Sequence, residues 1–240
     1  MKLYGSRLIF SSIKSMARFI WASSKKRGFF YSVRIAVSEI SFDLSYQTDT
    51  ITMQPVADMS DVSDADKRHA FHYQPSYAWV ISKMLKILSP LTQGNGTFID
   101  LGSGKGRIMM MASLNGYSKI IGVEFSRSLS RICEKNIISF KKRAKKDSHF
   151  ETVTMNVVNY KIPEDTSVIF LGNPFNEQVM QDVIRQIDTS LNNTPRNIFI
   201  AYFNPLYNKI FLQNNYQLLI EEKDPSGALI FQIFKNIRLP

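Results

Sequence analysis

The stretch Phe98-Ile-Asp-Leu-Gly-Ser-Gly-Lys-Gly-Arg107 decides how the chain is read. Thr97 to Leu101 is a short, nearly continuous apolar run of the kind that forms a fully buried strand, and Arg107 to Leu114 behind it reads as a helix. Gly102, Gly104 and Gly106 form the turn between them. Glycine there permits positive φ and lets the backbone approach a ligand closely. In an open α/β sheet, the strand-to-helix turn is where ligands bind. Nicotinamide-binding turns space their glycines as G-x-G-x-x-G. This one is spaced G-x-G-x-G and has an acid, Asp100, on the strand just before it.

Beyond the turn, Lys119 to Glu124 is a second strand that ends on an acid. A carboxylate at that point can accept both hydroxyls of an adenosine ribose, as the matching acid does in dinucleotide folds. The blander alternative is an acid that starts the next helix near Ser126. Strand, glycine turn, helix, strand and terminal acid in succession favour the ligand reading.

The alternation continues to the C-terminus. The sequence predicts helices at Leu129 to Arg143 and Glu177 to Leu191, and strands at Glu151 to Val157, Ser167 to Leu171 and Asn197 to Tyr202. Strands separated by helices imply a Rossmann-like, doubly wound, mostly parallel sheet with helices on both faces. Tyr216 to Glu222 and Ala228 to Phe234, joined by Lys223-Asp-Pro-Ser-Gly227, break the rhythm and read as a C-terminal antiparallel hairpin. Upstream, Pro75 to Leu88 has helical spacing and is broken by Ser89-Pro90 and Gln93-Gly-Asn-Gly96. Residues 1 to 40 look helical, and 41 to 68 read as loop and turns. The expected organisation is therefore a basic helical extension and linker over 1–68, then an α/β domain over 69–240.

Asp-Leu-Gly-Ser-Gly-Lys-Gly-Arg followed by Ile-Gly-Val-Glu resembles the class I S-adenosylmethionine (SAM)-dependent methyltransferases, over roughly residues 70 to 235. The C-terminal hairpin belongs to that fold as well. The resemblance implies SAM as cofactor. Asp100 would lie near its methionine amino group, Gly102, Ser103, Gly104 and Gly106 would carry the loop beneath it, and Glu124 would hold the ribose. Phe125 would pack on the adenine, and Val157 would belong to the cofactor site. Asn156 stands where such enzymes often carry an Asp facing the adenine amine, and its side-chain carbonyl can accept the same bond. Tyr73, in His72-Tyr-Gln-Pro-Ser-Tyr77, lies in a Tyr-x-Pro-Ser element that resembles one in small methyltransferases, mitochondrial-type protein lysine methyltransferases among them, and the resemblance implies that Tyr73 joins the cofactor site. A bacterial group pairs this element with the glycine-rich motif and a later Asn-Pro-Phe. Phe42-Asp-Leu-Ser-Tyr-Gln-Thr-Asp-Thr50 is a weaker match, with Gln47 where that group has Gly.

Methyl transfer from a sulfonium is an in-line displacement that needs positioning and, for an amine or hydroxyl acceptor, a route for the proton. The acceptor side should lie after the fourth strand, at Gly172-Asn173-Pro174-Phe175-Asn176. Asn173, Pro174 and Phe175 resemble the Asn-Pro-Pro-Tyr motif of amino-methylating enzymes, with a single proline and Phe in place of Tyr. In those enzymes the Asn and a main-chain carbonyl accept hydrogen bonds from the target amine. The alternative is a turn that supports the cofactor only. Asn204-Pro205 could line the same cleft or merely end a strand.

Charge bears on partners. Of the 240 residues, 30 are Lys or Arg and 20 are Asp or Glu, for a net charge of +10. Residues 1–38 contain no acid but carry Lys2, Arg7, Lys14, Arg18, Lys25, Lys26, Arg27 and Arg34; Lys141-Lys-Arg-Ala-Lys-Lys146 is a second cluster. Such clusters attract phosphates, anionic lipids or acidic proteins. Ile9, Ile13, Met16 and Ile20 give the first segment an amphipathic helical pattern suited to its own domain or to an anionic surface. No run reaches the roughly 18 apolar residues of a membrane span. The single cysteine, Cys133, excludes an intrachain disulfide, and the three histidines show no zinc-ligand spacing, so no metal is expected. The expected compartment is cytoplasmic, with peripheral membrane contact as an option. The expected acceptor is a nitrogen of a protein or nucleic acid. The alternatives are a small-molecule or lipid methyltransferase at a membrane surface and a SAM-binding protein without catalysis.

Overall fold

The structure, a computed structural model, describes residues 17–18, 20–52, 76–172 and 175–237. His69, His72, Tyr73, Asn173, Pro174 and the apolar positions Ile9, Ile13 and Met16 fall outside the described residues. After helical residues 20–27 the elements are α1 (Phe29–Tyr46), α2 (Ala78–Thr92), β1 (Thr97–Leu101), α3 (Arg107–Leu114), β2 (Lys119–Glu124), α4 (Arg127–Ala144), β3 (His149–Thr154), β4 (Thr166–Leu171), α5 (Glu177–Asn193), β5 (Phe199–Phe203), α6 (Asn208–Gln213), β6 (Tyr216–Lys223) and β7 (Leu229–Asn236).

One sheet of seven strands runs in the order β3-β2-β1-β4-β5-β7-β6. The first five strands pair in parallel, and β7 lies antiparallel between β5 and β6. This is the doubly wound sheet with a C-terminal antiparallel pair that the sequence predicts. From β1 the chain winds outward through β2 and β3, then crosses back to β4 and β5. The crevice at the C-terminal ends of β1 and β4 is thus the topological switch point, where such sheets bind ligands.

Every residue of β1 is buried, and its side chains divide by the period of two. Phe98, with Val168 and Phe170 of β4, joins the core under α2, α3 and α4; Ile99 and Leu101, with Ile169 and Leu171, join the core under α5 and α6. Fully burying side chains of this size stabilises by about 1.5–3 kcal/mol each, so the strands that carry the site are its most firmly held parts.

Several boundaries differ from the sequence reading, each for a local reason. Helix α1 runs on to Tyr46, through residues expected to be loop, because Asp43 in its last turn anchors the segment at Thr48 to Ile51. The Asp43 carboxylate accepts from the Thr50 and Ile51 N–H groups at 2.8 and 3.0 Å and from the Thr48 and Thr50 hydroxyls at 2.7 and 2.6 Å. Helix α2 passes Pro90, which has no N–H to give the carbonyl four residues back, and ends two residues later at Thr92. Strand β3 spans 149–154 rather than 151–157, and Val157 instead opens a short 3₁₀ turn.

Residues 20–52 of the basic extension pack on the domain. Ile35, Ala36 and Phe42 of α1 are buried, Phe42 sits in the core with residues of α2, α3 and α4, and the Tyr31 ring meets Trp79 edge-on at 5.2 Å.

Candidate functional site

The glycine turn is held by the end of β2. The N–H groups of Gly102 and Ser103 both donate to the Val123 carbonyl, at 2.8 and 3.1 Å. Gly102, Gly104 and Gly106 have φ of 84°, 53° and 82°, all in the left-handed region. Gly106 is confined by packing as well: a Cβ there would lie 2.4 Å from Cys133 Sγ. Only glycine satisfies both demands.

Two carboxylates face this loop. Glu124 Oε2 accepts from the Gly104 N–H at 2.8 Å and Oε1 from the Ser126 N–H at 2.9 Å, which fixes the side chain between the glycine turn and the start of α4. Asp100 is buried on β1, and its Oδ2 has no partner among the described residues. Burial, then the neighbouring Glu124, hold the Asp100 carboxyl well above the usual carboxylate range. Ser103 Oγ is likewise buried without a partner among the described residues. A buried polar atom left unpaired costs about 1–3 kcal/mol, so such atoms beside a glycine turn mark where a polar ligand belongs.

A cavity of about 210 Å³ opens next to them, lined by Gly102, Val123, Phe125, Asn156, Val157 and Phe175 among others. Asn156 caps the 3₁₀ turn, its Oδ1 accepting from the Val158 N–H at 3.1 Å. Of Asn173, Pro174 and Phe175, only Phe175 is described; it is buried and lines this cavity. The residues fit SAM. The cavity offers apolar walls and an aromatic ring to an adenine, Glu124 stands at the end of β2 beside it, and Asp100 could receive the cationic amino group.

A second cavity of about 220 Å³ lies at the C-terminal edge of β4 and β5, bounded by Arg27, Tyr77, Gly172, Phe203, Asn204 and Asp224. Tyr77 and Phe203 pack edge to face at 5.8 Å. Arg27 Nε donates to Asp224 Oδ2 at 2.5 Å, and the guanidinium lies 5.9 Å from the Tyr77 ring centre. Burial opposes the Asp224 charge, but bonds from Ser226, Arg27 and the Ala228 N–H outweigh it and hold the carboxyl below its usual range. Neither Arg27 nor Asp224 stood out in the sequence beyond a basic run and a turn.

The N-terminal segment also braces the glycine loop, through residues that motif reading passed over. Lys105, within the loop, reaches Asp49 at 3.1 Å. Asn136 on α4 donates to the carbonyls of Lys105 and Asp49 at 3.0 and 3.1 Å and accepts from the Asp49 N–H. Arg107 donates to Thr50 Oγ1 at 2.7 Å and is ion-paired with Glu39. The signal for this was the Phe42–Thr50 element, whose acids serve the loop from a distance.

Comparison with known proteins bears on the fold and the family. Among solved structures, a presumed RNA methyltransferase of Pyrococcus horikoshii has 14% identity, with 85% of this chain and 97% of that chain covered at a TM-score of 0.53. The PH0226 protein of Pyrococcus horikoshii OT3 has 13% identity, with 68% and 91% covered at a TM-score of 0.51. Both share the fold. A comparison with curated proteins yields no match. The family model of the histone methylation protein DOT1 matches residues 78–218, from the start of α2 to within β6. The chain belongs to this DOT1 family and is a SAM-dependent methyltransferase.

Proposed function

We propose that the chain methylates a nitrogen, with a cationic side chain of a protein as the acceptor. The carrying observation is the cleft at Gly172, lined by Tyr77, Phe203 and Asp224, where the Arg27 guanidinium bonds to the Asp224 carboxylate and lies 5.9 Å from the Tyr77 ring centre. A pocket with this composition recognises a cation through ring faces and a carboxylate. The family's name, which describes methylation of a protein, favours the same acceptor class. SAM, when bound, supplies a methyl group on a sulfonium.

The chain's own groups do the remaining work. Asp100 would pair with the cofactor's amino group, Glu124 would accept from the ribose hydroxyls, Phe125 would cover the adenine, Asn156 would meet its amine, and Val157 would line the same cavity. Asp224 draws the acceptor into the cleft in place of Arg27. The acceptor arrives as a cation and loses a proton to solvent before it attacks. Asn173, next in sequence after Gly172, would then accept a hydrogen bond from the neutral amine and turn its lone pair toward the methyl group, whose bond to sulfur breaks as the new bond to nitrogen forms. That hydrogen bond strengthens as the nitrogen becomes cationic, so it acts on turnover.

Incubation of the purified chain with tritium-labelled SAM and cell lysate, separated into protein, nucleic-acid and lipid fractions, tests the reading. Base-stable label in protein is the expected outcome. Label confined to lipid or nucleic acid would contradict the acceptor assignment, and SAM binding without transfer to any fraction would contradict catalysis.

A further inference from the structure

Helix α1 is apolar on two sides. One side, with Ile35, Ala36 and Phe42, enters the domain. The other bears Phe30, Val37 and Leu44, seven residues apart and 87%, 56% and 72% exposed. At 3.6 residues per turn this spacing keeps them on one side of the helix, and the half-exposed Val33 and Ile40 fall between them. Phe29, 60% exposed, meets the Phe30 ring edge-on at 5.8 Å, and Trp21, 68% exposed, lies beyond the break at Gly28. A contiguous exposed apolar patch of this extent marks a contact surface.

The fold also gathers charge around it. Arg18, Lys25, Lys26 and Arg34 are exposed along the N-terminal half, in a segment without acids. At the other end α1 meets α4: the Tyr46 ring lies 4.9 Å from Phe140, and the Ser139 hydroxyl bonds to the Tyr46 and Gln47 carbonyls at 2.9 Å. Beside that junction lies the second basic cluster, Lys141, Lys142 and Arg143 in the last turn of α4 and Lys145 and Lys146 just past its end, all exposed. Two basic clusters far apart in sequence therefore flank the two ends of one apolar stripe.

We infer that this face docks the enzyme on an anionic phospholipid surface, with α1 lying in the interfacial plane. An apolar stripe flanked by Lys and Arg is the composition of interfacial helices, and each basic side chain near an anionic leaflet adds to the attraction. Phe29 and Phe30 stand at one end of the stripe only; Val33, Val37, Ile40 and Leu44, which make up the rest, have no ring face on which a nucleic-acid base stacks, so the stripe fits lipid better than RNA. Pairing with a second copy would bring two chains of +10 together. No described helix is long and apolar enough to cross a membrane, so the contact is peripheral.

Co-sedimentation of the full chain with vesicles tests the inference. Vesicles of equal parts phosphatidylcholine and phosphatidylglycerol should pellet the protein at low salt, and phosphatidylcholine alone should not. Phe30→Ser with Leu44→Ser should weaken binding by about tenfold per side chain. Lys25→Glu with Lys26→Glu should weaken it by about fivefold or more per charge. SAM affinity, the check on folding, should stay unchanged in all variants. The inference is overturned by failure to bind the anionic vesicles, or by undiminished binding of the Phe30/Leu44 variant. It is equally overturned if the wild type forms a dimer that Phe30→Ser dissociates, or if RNA is the ligand whose binding the stripe variants abolish.

Discussion

Arg107, the first residue of α3, is ion-paired with Glu39 of α1, and both side chains are buried. The second Glu39 oxygen accepts from the Ala78 N–H at 2.6 Å, at the start of α2. One carboxylate thus joins the N-terminal segment, the helix before β1 and the end of the glycine loop. Burial pushes the Glu39 carboxyl up, against the pull of Arg107 and the Ala78 N–H.

Removing one partner of a buried ion pair leaves the other charge unpaired and costs about 3–5 kcal/mol. Glu39→Ala should therefore lower the urea midpoint sharply and weaken SAM binding. Glu39→Leu with Arg107→Met should recover most of the stability but not all of the affinity, because Arg107 also holds Thr50. A Glu39→Ala protein with wild-type midpoint and affinity would show that the pair braces nothing.

Asp100 links cofactor binding to pH. Its folded pKa is raised above the ordinary 3.8 by burial and then by Glu124. Its contribution to stability is therefore fully present below pH 3.8 and is lost as pH rises through the folded value. A cationic amino group beside it favours the ionised form. SAM affinity should rise with pH from acid to neutral, with proton release visible as a buffer-dependent enthalpy in calorimetry. Asp100→Asn should bind about 1–3 kcal/mol more weakly and without that pH slope. A slope that persists in Asp100→Asn belongs to another group.

The central strands and the cofactor turn were legible in the sequence because they are uniformly buried and punctuated by glycine. β1, α3 and β2 have the limits that apolar runs and the Gly102–Gly106 turn imply. β3, at the sheet edge, alternates exposed and half-buried residues, so its weak pattern slid toward Asn156. α6 went unseen because it has only six residues, with Ile210 and Phe211 buried. Lys105–Asp49, Arg107–Glu39 and Arg27–Asp224 join residues distant in sequence, and no local spacing encodes such pairs.

Gly106 is predicted to tolerate no side chain. With φ at 82° and Cys133 Sγ 2.4 Å from the would-be Cβ, Gly106→Ala meets both backbone strain of about 1 kcal/mol and a clash. Cys133→Ala should relieve the clash but leave the strain, so the double variant should fall between wild type and Gly106→Ala in thermal midpoint. Burial, chiefly, pushes the Cys133 thiol up to about 12. A thiol reagent should label it only on unfolding, and rapid native labelling would show that α4 does not pack on the loop as described.

The acceptor cleft predicts opposite effects for its two charges. Asp224→Asn should raise KM for a cationic acceptor about tenfold, on the scale of one lost charged hydrogen bond. Arg27→Ala should lower KM, since it removes the group that occupies the cleft. Asn173→Ala should reduce turnover by about 10²-fold or more and change SAM affinity by less than tenfold. Wild-type turnover in Asn173→Ala would reduce the Asn-Pro-Phe element to a turn.

The most direct test of the central claim is calorimetric titration of the purified chain with SAM, S-adenosylhomocysteine and NAD in parallel. The glycine turn with Asp100 and Glu124 predicts binding of the first two in the micromolar range and none of NAD. Binding of NAD with no binding of SAM would contradict it.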